Sequence, residues 1–286
     1  MKVPQLLKWI GNKNKYAEQI ISLMPNDINN YIEPFLGSGS ILANLVNKNI
    51  SSENKLFNNA IGADIMRPLI GIFEEVKYNP NNVSTYYEKM IKEFNEDRDA
   101  TYLKIRERFN EKRDPLDFMV LTRTCYSGII RFRKRDGYMS TPIGPHNPIP
   151  PERFKERVDI WNKLLKNVTI MESDYRKTID MANEGDLIYC DPPYTHSQGI
   201  LYGAQDFNIE ELWEALRAAK RKGARIMLSI NGTKKSKKEN IGIEIPYDIF
   251  ERYIYIDCGI SMINRLQREG QNMIEENVSD MLLFSW

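Results

Sequence analysis

Short apolar runs alternate with longer amphipathic stretches along most of this chain. "NNYI" closes a strand at Tyr31 and Ile32, and "AIGADIM" at 60–66, "VTIMESD" at 168–174, "LIYCD" at 187–191 and "ARIMLSI" at 224–230 read as further strands. "YIYIDCG" at 253–259 and "MLLFSW" at 281–286 supply the last two. The apolar runs lack strict alternation, as expected of strands buried on both faces. Apolar residues at helical spacing predict an amphipathic helix from Ile209 to Arg221. Strands that alternate with helices predict an α/β fold, a mostly parallel sheet covered on both sides. No internal repeat is present.

One interval, residues 67–150, is too long for a single crossover. "VSTYYEKMIKEFNE" and "ATYLKIRERFNEKRD" are charged and helical. "TRTCYSGIIRFRKRDGYMSTPIGPHNPIP" then has a β-type run, a central "RDG" turn signal, a second run and a Pro-rich exit. That pattern predicts a hairpin with arginines on one arm. The interval is expected to be an inserted module that touches the substrate.

The chemistry gathers at strand ends. Three predicted strands finish in an acid, Asp64, Asp174 and Asp191, which a parallel sheet lines up along one edge. Beside them, "EPFLGSGS" makes a turn in which Gly37 and Gly39 allow backbone conformations closed to side chains, and Ser40 is expected to cap a helix beginning near Ile41. No Gly-Lys-Ser/Thr follows, and Leu42 breaks the dinucleotide pattern. A nucleoside-like cofactor without phosphates fits that set of groups better than a nucleotide. Asp191 is followed by Pro192, Pro193 and Tyr194. The prolines end the strand and stiffen the turn, leaving a carboxylate, a free Pro192 carbonyl and a flat ring together. These groups suit a planar heterocycle bearing an amino group.

Bulk properties narrow the picture. The 286 residues carry a net charge of +1, so any polyanion contact rests on local patches. Such patches are Arg131, Arg133, Lys134 and Arg135, and then Lys234, Lys235, Lys237 and Lys238, the latter read as a solvated loop. Cys125, Cys190 and Cys258 form no Cys-x-x-Cys pair, which argues against disulfides and structural zinc. Only two histidines, His146 and His196, are present, both read as loop residues, so no metal centre is expected. The N-terminus lacks an apolar signal region and no run is long enough for a bilayer span, which predicts a cytoplasmic protein.

In order, "KWIGNK", "EPFLGSGS", "ADI", "RTCYSGIIRFRKRDGYMSTPIG" and "DPPY" resemble the Dam-like class of S-adenosylmethionine-dependent adenine-N6 DNA methyltransferases, in the motif order called α-group. The resemblance implies a Rossmann-like seven-stranded methyltransferase sheet, formed by residues 1–66 and 151–286. It also implies a target-recognition domain at 67–150. Trp9, Lys13, Glu33, Phe35, Gly37, Gly39, Asp64, Asp174, Tyr175 and Asp191 would then meet the cofactor, with Lys13 at the methionine carboxylate and Asp64 at the ribose. Asp191, Pro192, Pro193 and Tyr194 would form the catalytic pocket for an adenine flipped out of double-stranded DNA. Arg123, Tyr126, Arg131, Arg133, Lys134 and Arg135 would contact DNA, with Arg131 as a base reader. A monomer is implied, in a prokaryote or phage, with a separately encoded restriction endonuclease as a possible partner.

Two runs depart from the family pattern. "RTCYSG" stands where an asparagine-rich run is usual, and "GPHNP" replaces the common tail after the hairpin. Both fall in the recognition module, so no DNA target sequence is assigned. Cytosine N4, RNA adenine and a catalytically silent DNA-binding relative stay open as alternatives.

Overall fold

A computed structural model describes residues 2–193, 207–234, 244–260 and 277–286. Tyr194, His196 and Lys235, Lys237 and Lys238 lie outside the described residues, as does the side chain of Lys234. The expected strands form one seven-stranded sheet: β1 (Asn30–Glu33), β2 (Asn59–Asp64), β3 (Val168–Glu172), β4 (Leu187–Cys190), β5 (Arg225–Lys234), β6 (Arg252–Ile260) and β7 (Asn277–Phe284). Their spatial order is β3-β2-β1-β4-β5-β7-β6, parallel except for β7, which runs antiparallel between β5 and β6. Because β2 and β4 flank β1, the strand order reverses there. Open α/β sheets bind ligands beyond the carboxyl ends of the strands at such a reversal.

The period of two sends neighbouring side chains to opposite faces. Tyr31, Leu187, Tyr189, Met227 and Phe284 face one core. Ile32, Ile188, Cys190, Leu228 and Leu283 face another. The first core is covered by α1 (Ala17–Ser22), α2 (Ser40–Ser51), α3 (Arg67–Tyr78) and α7 (Pro151–Leu165). The second is covered by α8 (Tyr175–Asp180) and α9 (Ile209–Arg221), the latter with the bounds its sequence predicts.

The long interval continues from α3 through α4 (Pro80–Glu96), α5 (Arg98–Lys112) and α6 (Pro115–Thr124). Helix α3 packs on β2 and β3, so the part that projects from the sheet begins at α4. Its apolar residues join the first core without a break: Phe109 stacks on Phe118 at 4.9 Å and 15°, and Phe118 meets Trp9 edge to face at 6.2 Å. Each such ring pair adds about 0.5–1.5 kcal/mol beyond burial.

The hairpin is shorter than its sequence suggests. Thr122 and Thr124, read as the start of a β-run, lie inside α6. Asp114 caps that helix by accepting from the Leu116 and Asp117 N–H groups, Pro115 opens it, and both threonine hydroxyls donate back to helix carbonyls. Burial of the whole helix overrides the β-propensity of threonine. The two arms touch through isolated antiparallel bridges, Cys125 with Ile143 and Phe132 with Met139. Gly137, in the left-handed region, closes the tip by donating its N–H to the Arg133 carbonyl at 2.8 Å. Helix α5 carries the hairpin: Asn110 bonds the Met139 N–H at 2.6 Å and its carbonyl at 3.2 Å, and Arg113 donates to the Gly137 carbonyl at 2.6 Å.

Candidate active site

A cavity of about 350 Å³ opens at the carboxyl ends of β1 and β4, where the strand order reverses. Three sequence runs meet in it: Trp9 to Lys13, Glu33 to Ile41, and Tyr189 to Pro193. The edge beyond β2 and β3 adds Asp64, Asp174 and Tyr175.

The β1–α2 turn sets one wall. Gly37 and Gly39 both have positive φ, and Gly39 occupies the cap position of α2. A Cβ at Gly37 would sit 3.3 Å from the Trp9 indole nitrogen, at the cavity wall. A Cβ on Gly39 would instead meet Trp161 and Phe73 in the core, so Gly39 shapes the turn without lining the cavity. Ser40 is the first helical residue and supplies no side-chain cap, which corrects its expected role. Glu33 takes that function from across the turn, accepting from the Leu42 N–H and from the Tyr31 hydroxyl at 2.7 Å. Burial, with the nearby Asp191 carboxylate adding to it and these donors opposing it, pushes the Glu33 carboxyl up to about 8.

Asp64 turns its two oxygens toward the Gly37 and Met66 N–H groups, each at 3.0 Å. Burial raises its pKa against those donors. Asp174 caps α8 by accepting from the Arg176 N–H at 2.8 Å, and the Arg176 guanidinium grips both its oxygens. That grip holds the Asp174 carboxyl below its ordinary range. Tyr175 stacks on Phe35 with centroids 5.1 Å apart, and Phe207 stands against both rings. The three rings pack together as an apolar wall of the cavity, with Asp174 beside them.

Lys13 lines the cavity. Its ammonium is buried and bonds Asp191 Oδ1 at 3.0 Å and Oδ2 at 2.9 Å. Asp280 of β7 approaches it to 3.4 Å. Burial disfavours the charge, yet the two carboxylates hold the Lys13 pKa above its ordinary value. Lys13 is thus directed at the DPPY aspartate, the partner its position in the sequence did not reveal.

The DNA-contact set divides. Arg131, Lys134 and Arg135 are exposed along the hairpin, and Arg131 and Lys134 have no side-chain bond among the described residues. Asp136 pairs with Arg133 at 3.1 Å and Arg135 at 3.2 Å, while Arg133 lies 4.0 Å over the Tyr138 ring. Tyr126 is exposed. Arg123 is not: it is 3% exposed inside α6, donates to the Leu6 carbonyl at 2.5 Å and lies over Phe154. It anchors the segment that carries Trp9, and burial removes it from any DNA surface. Sequence reasoning missed Phe207, Arg176 and Asp280, none of which stands in a motif that it singled out.

The profile of the D12 class N6 adenine-specific DNA methyltransferases matches residues 9–248. The chain belongs to that family. The type II methyltransferase M.MjaIII of Methanocaldococcus jannaschii is 30% identical over 253 residues, covering 80% of this chain and 84% of the relative. A DNA adenine methylase of Vibrio cholerae is 26% identical over 254 residues, covering 84% and 85%. One from Serratia marcescens is 33% identical over 194 residues, 66% of each chain. The D12 methyltransferase therefore acts on adenine N6 in DNA, and the family's methyl donor is S-adenosylmethionine. This selects among the acceptors that the sequence left open. Among the described residues, no helix is long and apolar enough to cross a membrane, and no cluster of side chains suits a metal ion.

Proposed function

We propose that this enzyme methylates adenine at one short sequence in double-stranded DNA, with Asp191 as the group that directs the target amine. The observation that carries this reading is the end of β4. There a carboxylate, fixed by Lys13, stands beside a carbonyl held by two successive prolines at the cavity.

An exocyclic adenine amine is a poor nucleophile because its lone pair is delocalised into the ring. Asp191 and the Pro192 carbonyl accept its two N–H bonds, turn the lone pair outward and stabilise the positive charge that grows on nitrogen. Tyr194, by its place in the tetrapeptide, offers a ring for the base once it has left the duplex. The proton lost from the methylated nitrogen passes to solvent or to Asp191.

The cavity suits the donor. The wall of Phe35, Tyr175 and Phe207 offers an aromatic face to an adenine ring, and Asp174 and Asp64 present acceptors to amino and hydroxyl groups. Gly37 brings backbone close to the cavity, and Glu33 faces an amino acid's ammonium from the wall. S-adenosylmethionine supplies an electrophilic sulfonium methyl when bound. Methylome sequencing of DNA from a methylation-free host expressing this chain tests the assignment. Modified adenine in one motif is expected; modified cytosine, or none, overturns it.

Glu33 makes donor binding pH-dependent. Its folded-state carboxyl, near 8, is largely protonated at neutral pH, whereas a bound ammonium favours the ionised form. Binding between about pH 6 and 8 is therefore expected to release protons, and affinity to rise with pH until the ligand's own amine deprotonates near 8. Calorimetry in buffers of different ionisation enthalpy measures the release. A Glu33→Gln enzyme should show none, and unchanged release in that variant counts against the role.

On the DNA side we assign the recognition region to 67–150, with Arg131 reading a base and Lys134 and Arg135 holding phosphates. Tyr126 and Arg133 flank them. Arg131→Ala is expected to lower kcat/KM on the cognate site by about 10- to 100-fold and to relax choice at one base pair. Lys134→Ala should weaken all sequences alike. A uniform loss in Arg131→Ala, with discrimination intact, would reassign it to the backbone. We further propose that the enzyme acts as a cytoplasmic monomer beside a separately encoded restriction endonuclease, in keeping with its likeness to a type II methyltransferase.

A further inference from the structure

Lys13 poses an electrostatic problem for the reaction. A carboxylate that must stabilise a growing cation is paired, at 2.9 and 3.0 Å, with a buried ammonium. A neutral ion pair offers little net field to a charge forming beside it. The resolution lies on β7, the strand that runs against the rest of the sheet. Asp280 sits there opposite Asn231 of β5 and Ile256 of β6, with only 8% of its surface exposed. Its Oδ2 is 3.4 Å from the same ammonium. Lys13 thus carries one positive charge between two carboxylates, and the three side chains sum to one negative charge.

We propose that Asp280 is a positioning residue for methyl transfer: it shares Lys13 and so leaves negative charge on Asp191 for the target amine. This rests on the reading of Asp191 given above. Two consequences follow from the distances. Asp280 keeps the buried ammonium satisfied when Asp191 accepts hydrogen bonds from the base, so engagement of the substrate does not strand an unpaired charge. It also keeps Lys13 ionised and in place, which fixes the Asp191 carboxylate against the rigid Pro192–Pro193 turn. Asp280 acts through Lys13 and Asp191 and is not assigned to the reacting atoms.

The test is single-turnover methyl transfer by the full-length Asp280→Asn enzyme, with donor and DNA affinities measured alongside. Asparagine keeps the shape and removes the charge. The rate of the chemical step is expected to fall on the order of 10- to 100-fold, less than for a group that touches the reacting atoms. Affinities for S-adenosylhomocysteine and duplex DNA should stay within about threefold, and Asp280→Glu should recover much of the rate. An unchanged rate overturns the proposal. So does a rate loss matched by loss of donor affinity, or an Asp280→Asn protein that no longer folds, since either makes Asp280 a structural ion-pair partner. Asp191→Ala run in parallel separates the two levels. If it stays active, the reading of Asp191 fails; if it is inactive while Asp280→Asn keeps full rate, only the role of Asp280 falls.

Discussion

Replacing Asp191 with alanine is expected to slow methyl transfer on the order of 10³-fold while leaving duplex DNA binding in place. Preorganised groups aimed at charge that develops in a transition state typically account for losses of about 10²- to 10³-fold each. Asp280 still faces Lys13 in that variant, so the ammonium keeps a counter-ion and the loss is that of the Asp191 carboxylate itself. Asp191→Asn keeps the shape but presents the amine with a neutral carbonyl or an NH₂ donor in place of a carboxylate, and should be nearly as slow. Product formation under single turnover reads the chemical step, and fluorescence anisotropy of a labelled duplex reads binding. A variant within tenfold of the parent rate would remove Asp191 from the mechanism.

The second large effect is on stability and lies far from the chemistry. Asp117 is 1% exposed on α6, where an arginine side chain meets it. Arg108 of α5 donates to it through Nε at 2.7 Å and through Nη2, and the Tyr86 hydroxyl of α4 donates as well. One carboxylate therefore ties three helices together. Truncating one member of a buried ion pair costs about 3–5 kcal/mol, and the partial exposure of the Arg108 left behind puts this pair toward the lower end. Asp117→Ala should lower the thermal midpoint by on the order of 10 °C. Asp136→Ala, at the solvent-exposed hairpin tip, should barely move it, since exposed pairs contribute about 0–1 kcal/mol. Comparable midpoints for the two variants would mean that the Arg108–Asp117 pair does not hold the insert.

Local pattern carried most of the architecture. All seven strands and the exact span of α9 follow from runs of apolar residues, because burial on two faces leaves a dense signal in sequence. The glycine turn and the Asp-Pro-Pro run were legible for a related reason: backbone strain and a missing N–H restrict which residues a position accepts. What stayed hidden depends on distant contacts. Thr122 and Thr124 favour strands on their own, but α6 is buried on every side. Arg123 sits among basic and aromatic residues like a DNA contact, and only the fold shows the Leu6 carbonyl against it. Lys13, Asp191 and Asp280 come from the N-terminal segment, the residue just after the fourth strand, and the seventh strand. No window of sequence contains that triad. Phe207 precedes the helix cap Asn208 as one apolar residue among many, and its place in the aromatic wall comes from the packing of α9.

The manner in which α5 holds the hairpin bears on how such enzymes diversify. Asn110 and Arg113 grasp the main chain of Met139 and Gly137, not their side chains. Main-chain atoms are the same for every residue, so this support is indifferent to what Arg131, Lys134 and Arg135 become. Under the proposed recognition role, mutation can exchange the outward side chains at little risk to the scaffold. Descendants of one ancestor can then drift toward new target words while inheriting the same chemistry intact.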